Sequence, residues 1–231
     1  MIEKAEFDKF ADEYHELHKT NIAISGEEPE FFAEYKIRDV SILLGDCNSK
    51  GFRILDFGTG VGNSVPHFRH YFPEADIACV DVSEKSLAIA YERFAQYAEF
   101  HLFDGEALPF EDCSFDLVFA ACVFHHIPHE RHVALLREWH RVLKPEGTAV
   151  VFEHNPWNPL TVRAVNTCPF DENAELISAP RFRASFCQAG FGKAAINYRL
   201  FVPGALRWLR PLERWTKWCP LGAQYLLFTR K

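Results

Sequence analysis

The chain has 231 residues, of which 48% are apolar and 25% are charged, and this suits one large α/β domain with a sizeable core. It contains no apolar run of about 18 residues, and its charged first residues, 1–9, lack the apolar stretch of a signal peptide. The seven cysteines are scattered and include no Cys-x-x-Cys pair, which argues against a disulfide framework and a zinc ribbon. We therefore expect a soluble cytoplasmic protein with reduced thiols.

The charge is distributed unevenly. Residues 1–153 hold 14 Lys and Arg against 28 Asp and Glu, whereas residues 154–231 hold 11 against 4, so the two parts carry −14 and +7. An acidic first part argues against binding along a nucleic acid, which requires a basic track. The basic second part suits an anionic substrate, a membrane surface, or docking within the chain, and the sequence leaves these three open.

In chain order, two amphipathic helices come first, Phe7–Lys19 and Pro29–Leu44, joined by a turn at Ser25-Gly26. From residue 53 to 154, short apolar strands alternate with helical stretches, which is typical of a parallel, doubly wound sheet. The predicted strands are Arg53–Phe57, Asp76–Val80, Ala98–Leu102, Phe115–Ala121, Thr148–His154, Ala194–Phe201 and Gln224–Arg230.

Three helices are predicted between these strands. One follows Gly62, one is N-capped by Ser83, and one covers His129–Leu143 and is stopped by Lys144-Pro145-Glu146-Gly147. We predict a single domain with three parts: a helical cap (1–50), a ligand-binding core (53–154), and a remainder (155–231) that holds the last strands.

The first strand ends in an acid and a glycine-rich turn, Asp56-Phe57-Gly58-Thr59-Gly60-Val61-Gly62-Asn63. Glycines let such a turn fold tightly and bring a ligand against bare backbone. The dinucleotide fingerprint G-x-G-x-x-G, counted from Gly58, requires glycine where Asn63 stands. A carboxylate beside the turn also favours a ligand with an ammonium group over a pyrophosphate.

The run from Asp56 to Gly62 resembles the D-x-G-x-G-x-G motif of class I S-adenosylmethionine-dependent methyltransferases. Other family-like segments follow in order: Cys79-Val80-Asp81-Val82-Ser83, Asp104-Gly105-Glu106-Ala107-Leu108-Pro109-Phe110, Ser114-Phe115-Asp116-Leu117-Val118, His125-His126-Ile127-Pro128 and Arg141-Val142-Leu143-Lys144-Pro145-Glu146-Gly147. The resemblance covers about residues 53–154 and is to small-molecule enzymes, a family that includes quinone-biosynthesis methyltransferases. It implies a Rossmann-like, mostly parallel seven-stranded sheet with N-terminal helices and an insertion after strand five as a lid.

The resemblance also implies the cofactor, S-adenosylmethionine, with S-adenosylhomocysteine as product. Asp56 faces the amino group, Asp81 binds the ribose hydroxyls, and Val82 packs on the adenine. Asp104 and the Gly105 amide pair with the edge of the adenine. The complete predicted cofactor set is Tyr14, Asp56, Gly58, Thr59, Gly60, Asp81, Val82, Asp104, Gly105, Glu106 and Ala120.

The implied reaction is an in-line displacement in which a small-molecule acceptor attacks the methyl carbon. A base assists if the acceptor is a hydroxyl, and we predict His126 for this role, from a group with His125, Glu153 and His154. A zinc site needs three or four convergent ligands. Pro128 breaks the histidine run and His129 and His132 are expected on a solvent-exposed helix surface, so no metal site is predicted.

The acceptor side is assigned to residues 155–231. Two rigid loops, Asn155–Pro159 and Cys168–Asp171, follow strand five. Between Arg207 and Lys217, basic residues and tryptophans form two stripes of an amphipathic helix interrupted by Pro211. This helix suits either anionic lipid or a phosphate-bearing acceptor, or else its tryptophans pack on the domain and its arginines face water. An NAD-dependent oxidoreductase and a non-catalytic S-adenosylmethionine-binding protein are the alternative functions.

Overall fold

A computed structural model describes residues 26–45 and 50–231. Seven strands form one sheet: β1 (Arg53–Phe57), β2 (Asp76–Asp81), β3 (Glu99–Leu102), β4 (Phe115–Ala121), β5 (Leu143–His154), β6 (Ala195–Arg199) and β7 (Gln224–Arg230). The α-helices are α1 (Pro29–Leu44), α2 (Val65–Tyr71), α3 (Glu84–Phe94), α4 (His132–Val142), α5 (Pro159–Thr167) and α6 (Ala179–Gln188). Short 3₁₀ helices cover Phe124–His126, His129–Arg131, Pro169–Asp171 and Gly204–Trp215.

The strand order is β3-β2-β1-β4-β5-β7-β6. Strands β1 to β5 pair in parallel, and β7 is antiparallel to both β5 and β6. The predicted mostly parallel, seven-stranded sheet is confirmed. Because the chain order reverses between β1 and β4, a crevice opens at the carboxyl ends of these strands, where open α/β sheets bind ligands.

Most predicted elements agree with the structure. The bounds of α1, β1, β4 and β7 are those predicted, and Ser83 caps α3 by accepting a hydrogen bond from the Ser86 amide. The main difference is β5, which begins at Leu143 rather than Thr148. Leu143 already pairs with Phe115, and the ladder then shifts register before Leu117. The predicted helix stop after Leu143 therefore lies inside a strand.

The sheet has an apolar core on each face. On one face, α4 and α6 bury Trp139, Phe182 and Phe186, whose rings pack edge to face. On the other, α1 packs against the sheet, with the Tyr35 ring centroid 5.8 Å from that of Phe152, and the Tyr35 hydroxyl donates a hydrogen bond to the Gln224 side-chain carbonyl. Helix α1 is thus fixed as a cap. The predicted helix Phe7–Lys19 lies outside the described residues.

The segments after β5 differ from the prediction in two ways. Of the insertion, α5 and the loop after it border the crevice, whereas α6 is packed into the core through Phe182 and Phe186. The predicted amphipathic α-helix around Pro211 is instead a 3₁₀ segment with a non-helical residue at Leu206. Proline lacks an amide hydrogen and clashes with the preceding turn of an α-helix, which explains the difference. No helix in the described ranges is long and apolar enough to span a bilayer.

Candidate active site

A cavity of ≈ 590 Å³ lies at the carboxyl ends of the parallel strands. The glycine loop and the ends of β1 and β2 form one side, which we call the cofactor end. The ends of β4 and β5 with the histidines form the other, the acceptor end, while α1 and α5 cover the space between. The predicted site residues on its lining are Asp56, Gly58, Thr59, Gly60, Asp81, Val82 and His126.

The glycine loop has a conformation that requires glycine. Gly58 has φ +72°, and a Cβ there would lie 2.6 Å from both Val123 methyl carbons. Gly60 has φ +53°, and a Cβ built on it would meet no atom of the described chain within 4 Å. Residues that carry a side chain rarely adopt such positive φ values. The loop therefore keeps a bare backbone surface against the cavity, which fits a cofactor lying directly on the chain.

Asp81, the last residue of β2, holds this loop in place. One carboxylate oxygen accepts the Gly60 amide at 2.8 Å, and the other accepts the Ser83 amide at 2.9 Å. A carboxylate offers about four acceptor sites, so the same group also has capacity for ligand hydroxyls. Its place on the cavity lining fits the predicted ribose contact.

Asp56 is almost completely buried at the end of β1, with 1% of its surface exposed. It accepts a hydrogen bond from the Thr59 hydroxyl at 2.8 Å. Burial, reinforced by the nearby charge of Asp81, raises the pKa of Asp56 to about 7. A cationic ligand group in the cavity would favour the ionised carboxylate, which fits a ligand that carries an ammonium.

Four predicted cofactor residues of the described ranges, Asp104, Gly105, Glu106 and Ala120, are not on the lining. Asp104 accepts the Glu106 and Ala107 amides at 2.7 and 3.1 Å, and the Gly105 carbonyl accepts a hydrogen bond from Arg131 at 2.6 Å. Ala120 is fully buried within β4, although the next residues, 121 and 122, line the cavity. Tyr14 lies outside the described residues. The contacts of these five residues with the cofactor stay predictions.

At the acceptor end, Glu153 anchors a cluster of charged groups. It accepts the Val123 and Phe124 amides at 2.9 and 2.7 Å, and its other carboxylate oxygen lies 2.7 Å from Nδ1 of His125. Nε2 of His125 lies 3.4 Å from the Asp171 carboxylate. His125 is therefore buried between two carboxylates from β5 and from the loop after α5.

This arrangement fixes the charge of His125. Burial lowers the pKa of an imidazole, but the charges and hydrogen bonds of Glu153 and Asp171 outweigh burial here and raise the pKa of His125 to about 10. Burial also opposes the ionised forms of the two acids, yet the His125 cation lowers the pKa of each to about 2. The group is an ion triad at neutral pH.

The two neighbouring histidines are neutral. Burial and then the His125 charge lower the pKa of His126 to about 3 and that of His154 to about 4. His126, the predicted base, places Nε2 3.4 Å from the Asp171 carboxylate. Asp171 thus contacts both adjacent histidines, and sequence reasoning missed it. Two features of the sequence could have indicated Asp171. It lies in the rigid Cys168–Asp171 loop, and it is one of only four acidic residues in the basic part of the chain, 154–231.

The predicted solvent exposure of His129 and His132 was wrong for His132. His132 is fully buried rather than solvent-exposed, because its Nε2 reaches the Phe124 and Ile127 carbonyls at 2.9 and 2.8 Å. His129 is partly exposed, beside Glu175. His132 thus supports the loop that carries His125 and His126.

Lys36 was also missed. This α1 residue is only 7% exposed and lines the cavity. No hydrogen bond or ion pair to its ammonium is present within residues 26–45 and 50–231, where its neighbour is the Tyr35 ring at 5.8 Å. A buried ammonium is costly unless paired, so the cavity offers a fixed cation to an anionic group of a ligand.

A strand, glycine loop and helix, with an acid at the end of the next strand, surround one cavity in the arrangement expected for class I S-adenosylmethionine-dependent methyltransferases. The comparisons agree, because residues 54–147 match the family described as "Methyltransferase domain". The resemblance of residues 53–154 to this class is thereby confirmed.

Two curated relatives are quinone-biosynthesis enzymes. The chain is 34% identical over 152 residues to a demethylmenaquinone methyltransferase of Thermotoga maritima, covering 66% of this chain and 61% of that protein. It is 32% identical over 127 residues to the ubiquinone/menaquinone biosynthesis C-methyltransferase UbiE of Ectopseudomonas mendocina, covering 52% and 49%. The chain thus spans about half to three fifths of these relatives. A solved S-adenosylmethionine-dependent methyltransferase of Thermotoga maritima shares the fold, with TM-score 0.69, 21% identity and 98% coverage of both chains.

Proposed function

We propose that the protein transfers a methyl group from S-adenosylmethionine to a small-molecule acceptor. The observation that carries the proposal is the single cavity that joins the glycine loop and Asp81 to the histidine cluster. A cofactor on the loop would direct its sulfonium toward the acceptor end. The free cysteines of the described ranges suit the reducing cytoplasm, where we place the reaction.

At the cofactor end, we assign Gly58 and Gly60 to the methionine portion, and Asp56 to its ammonium group. Asp81 would accept the ribose hydroxyls, and Val82 would pack on the adenine. When bound, the cofactor supplies an activated methyl group and a neutral leaving group. The residues of the chain bind and orient the reactants, while α1 and α5 exclude water.

At the acceptor end, we assign proton transfer to His126. Its neutral ring can accept a proton from an acceptor hydroxyl, and the Asp171 carboxylate at 3.4 Å would stabilise the imidazolium that results. The low pKa makes His126 a weak base, so its contribution is expected near the lower end of the ~10²- to 10⁴-fold range of general bases.

Calorimetric titration of the purified protein with S-adenosylhomocysteine, with NAD as the control ligand, tests the cofactor assignment. We expect micromolar binding of S-adenosylhomocysteine and none of NAD. Binding of NAD alone would favour the oxidoreductase alternative. Turnover of S-adenosylmethionine with candidate acceptors then separates an enzyme from a non-catalytic binding protein.

We further propose that the acceptor is lipid-linked and bears a phosphate. Apolar side chains such as Phe31 and Phe201 share the cavity lining with the buried ammonium of Lys36. This combination suits a hydrophobic molecule with one anionic group.

The 3₁₀ segment Gly204–Trp215 lies beside the cavity mouth and supports this proposal. Its Arg210 is fixed inward by a 2.5 Å ion pair with Glu27 and stacks 4.4 Å from the Phe31 ring. Trp208 and Trp215 face outward with 72% and 60% of their surfaces exposed, and are not packed on the described part of the domain. Exposed arginines 207 and 214 flank them. Tryptophans beside basic residues are typical of surfaces that rest on anionic lipid.

Vesicle sedimentation tests the membrane contact. We expect the protein to bind phosphatidylglycerol vesicles and to bind phosphatidylcholine vesicles much less. The double variant Trp208→Ala/Trp215→Ala should lose most of this binding, whereas Tyr91→Ala, which removes an exposed aromatic from α3, should retain it. Equal binding by the double variant and the wild type would contradict the proposal.

A further inference from the structure

The acceptor end contains a set of metal-ligand atoms, of which the methyl-transfer proposal uses only the Asp171 carboxylate. One ring nitrogen each of His125 and His154 and a carboxylate oxygen of Asp171 all lie within 4.8 Å of one another. We propose that His125, His154 and Asp171 form a binding site for a divalent transition-metal ion of the Zn²⁺ type. The inference stands on this geometry and is independent of the cofactor assignment.

The donor set and its spacing match such an ion. Imidazole nitrogen and carboxylate oxygen bind Zn²⁺ at about 2.0–2.2 Å, which separates tetrahedral ligands by roughly 3.4 Å. His125 Nε2 and the Asp171 oxygen are already 3.4 Å apart. His154 has no hydrogen bond to its ring in the described part of the chain, and its ring centroid lies 5.0 Å from that of His125. It can therefore rotate toward the ion without losing a polar contact.

Glu153 occupies the position of a supporting group. Ligating histidines usually donate their second ring N–H to a carboxylate, which fixes the ring orientation. Here Glu153 contacts Nδ1 of His125 at 2.7 Å and is itself held by two backbone amides. This leaves Nε2 of His125 directed at the proposed ion.

The charges also favour a dication. Glu153 and Asp171 bring two buried negative charges to the cluster, with side-chain exposures of 1% and 11%. On binding, a divalent cation would displace the proton of His125 into solvent, and its two positive charges would then balance both carboxylates. Buried charges persist when they are paired or coordinate a metal.

Three protein ligands leave a coordination position open toward the cavity. A hydroxyl of the acceptor at that position would become more acidic, and the adjacent His126 could take its proton. This catalytic role rests on the proposed function, whereas ion binding does not.

The test is metal titration of the full chain after removal of bound ions with a chelator. We expect calorimetry to show one Zn²⁺ per chain, and Co²⁺ to give visible d–d bands without a thiolate charge-transfer band. The absence of a thiolate band must be checked because Cys122 and Cys168 line the same cavity and could bind the metal instead. His154→Ala and Asp171→Asn should each lower the affinity at least tenfold, while His129→Ala, outside the cluster, should leave it unchanged.

Absence of saturable one-to-one binding, a thiolate band, or full affinity in both variants would overturn the proposal. Circular dichroism checks that each variant is folded, and His154→Gln replaces the alanine variant if that one is not. S-adenosylhomocysteine titration of the same metal-free samples separates the two hypotheses. Retained S-adenosylhomocysteine binding without metal binding refutes the ion site alone, whereas metal binding without S-adenosylhomocysteine binding refutes the cofactor assignment alone.

Discussion

The two ends of the cavity are formed by different parts of the residues that line them, backbone at one end and side chains at the other. The cofactor end uses mostly backbone, since Gly58 and Gly60 expose the chain and Asp81 holds their loop through amide hydrogen bonds. The acceptor end uses titratable side chains from four separate segments: α1, the loop after β4, the end of β5 and the loop after α5. A backbone surface is encoded within one short motif, whereas a cluster of side chains exists only after distant segments have packed together.

The two ends also differ in electrostatics. At the cofactor end, the pKa of the Asp56 carboxyl is about 7. A cation bound beside it would favour the ionised form. The acceptor end already contains a protonated His125 between two carboxylates. Burying such a triad is costly, and it persists because each charge is paired and hydrogen-bonded. We therefore expect substitutions at the acceptor end to affect stability most, and substitutions at the cofactor end to affect binding.

The largest expected effect is the loss of stability when Glu153 is substituted. Glu153→Ala removes the acceptor of two backbone amides and the partner of a buried cation. Breaking a buried pair in this way costs about 3–5 kcal/mol of unfolding free energy. Urea denaturation measures this loss, and Glu92→Ala on the exposed side of α3 should change stability by no more than about 0.5 kcal/mol. Equal losses in both variants would contradict the role of the triad.

The next effect is the pH dependence of stability. The folded pKa of His125, about 10, exceeds the ordinary value of 6.5, so its stabilisation is complete below pH 6.5 and is lost as pH rises toward 10. His126 and His154, with lowered pKa values, act oppositely and destabilise the fold as pH falls below 6.5. Between pH 7 and 9, His125→Gln should therefore make the slope of unfolding free energy less negative by about 1.4 kcal/mol per pH unit.

Urea titrations at several pH values measure this slope. His129→Gln is the matched control, because that histidine is partly exposed and lies outside the triad. An unchanged slope in His125→Gln would mean that His125 is not protonated in the folded protein.

A smaller effect is expected at the cofactor end. Asp81→Ala leaves the Gly60 and Ser83 amides without their acceptor and removes the proposed ribose contact. Lost hydrogen bonds to a charged group cost about 1.5–3 kcal/mol, so loss of the ribose contact should lower the affinity for S-adenosylhomocysteine roughly 10- to 100-fold. Loss of the two amide contacts should also lower the stability of the glycine loop. Asp76→Ala, at the exposed opposite end of β2, serves as control. Wild-type affinity in Asp81→Ala would refute the ribose assignment.

The contrast between the ends explains what the sequence could predict. Strand alternation and the motif around Gly58 are local signals, and they located the strands and the loop correctly. Asp171 and Lys36 join the cavity through tertiary packing, and Asp171 lies 45 residues from His126 in a loop without a repeating pattern. The prediction of an α-helix around Pro211 was wrong for another reason. The α-helical spacing of the arginines and tryptophans gives no information on how Pro211 and the non-helical Leu206 change the backbone geometry.

The smallest predicted effect tests whether the cofactor end gains charge on binding. The pKa of Asp56 is about 7 in the free protein, so below pH 7 an ammonium ligand must expel the proton before it meets a carboxylate. The affinity for S-adenosylhomocysteine should thus fall by up to about tenfold per pH unit below 7 and level off above it. Calorimetry at pH 6, 7 and 8 measures this, and Asp56→Asn should give a flat profile with the weaker affinity throughout. Asp112→Asn, an exposed acid paired with Arg141, should keep the wild-type profile. A pH dependence that survives in Asp56→Asn would assign the proton to another group and remove the ammonium contact from Asp56.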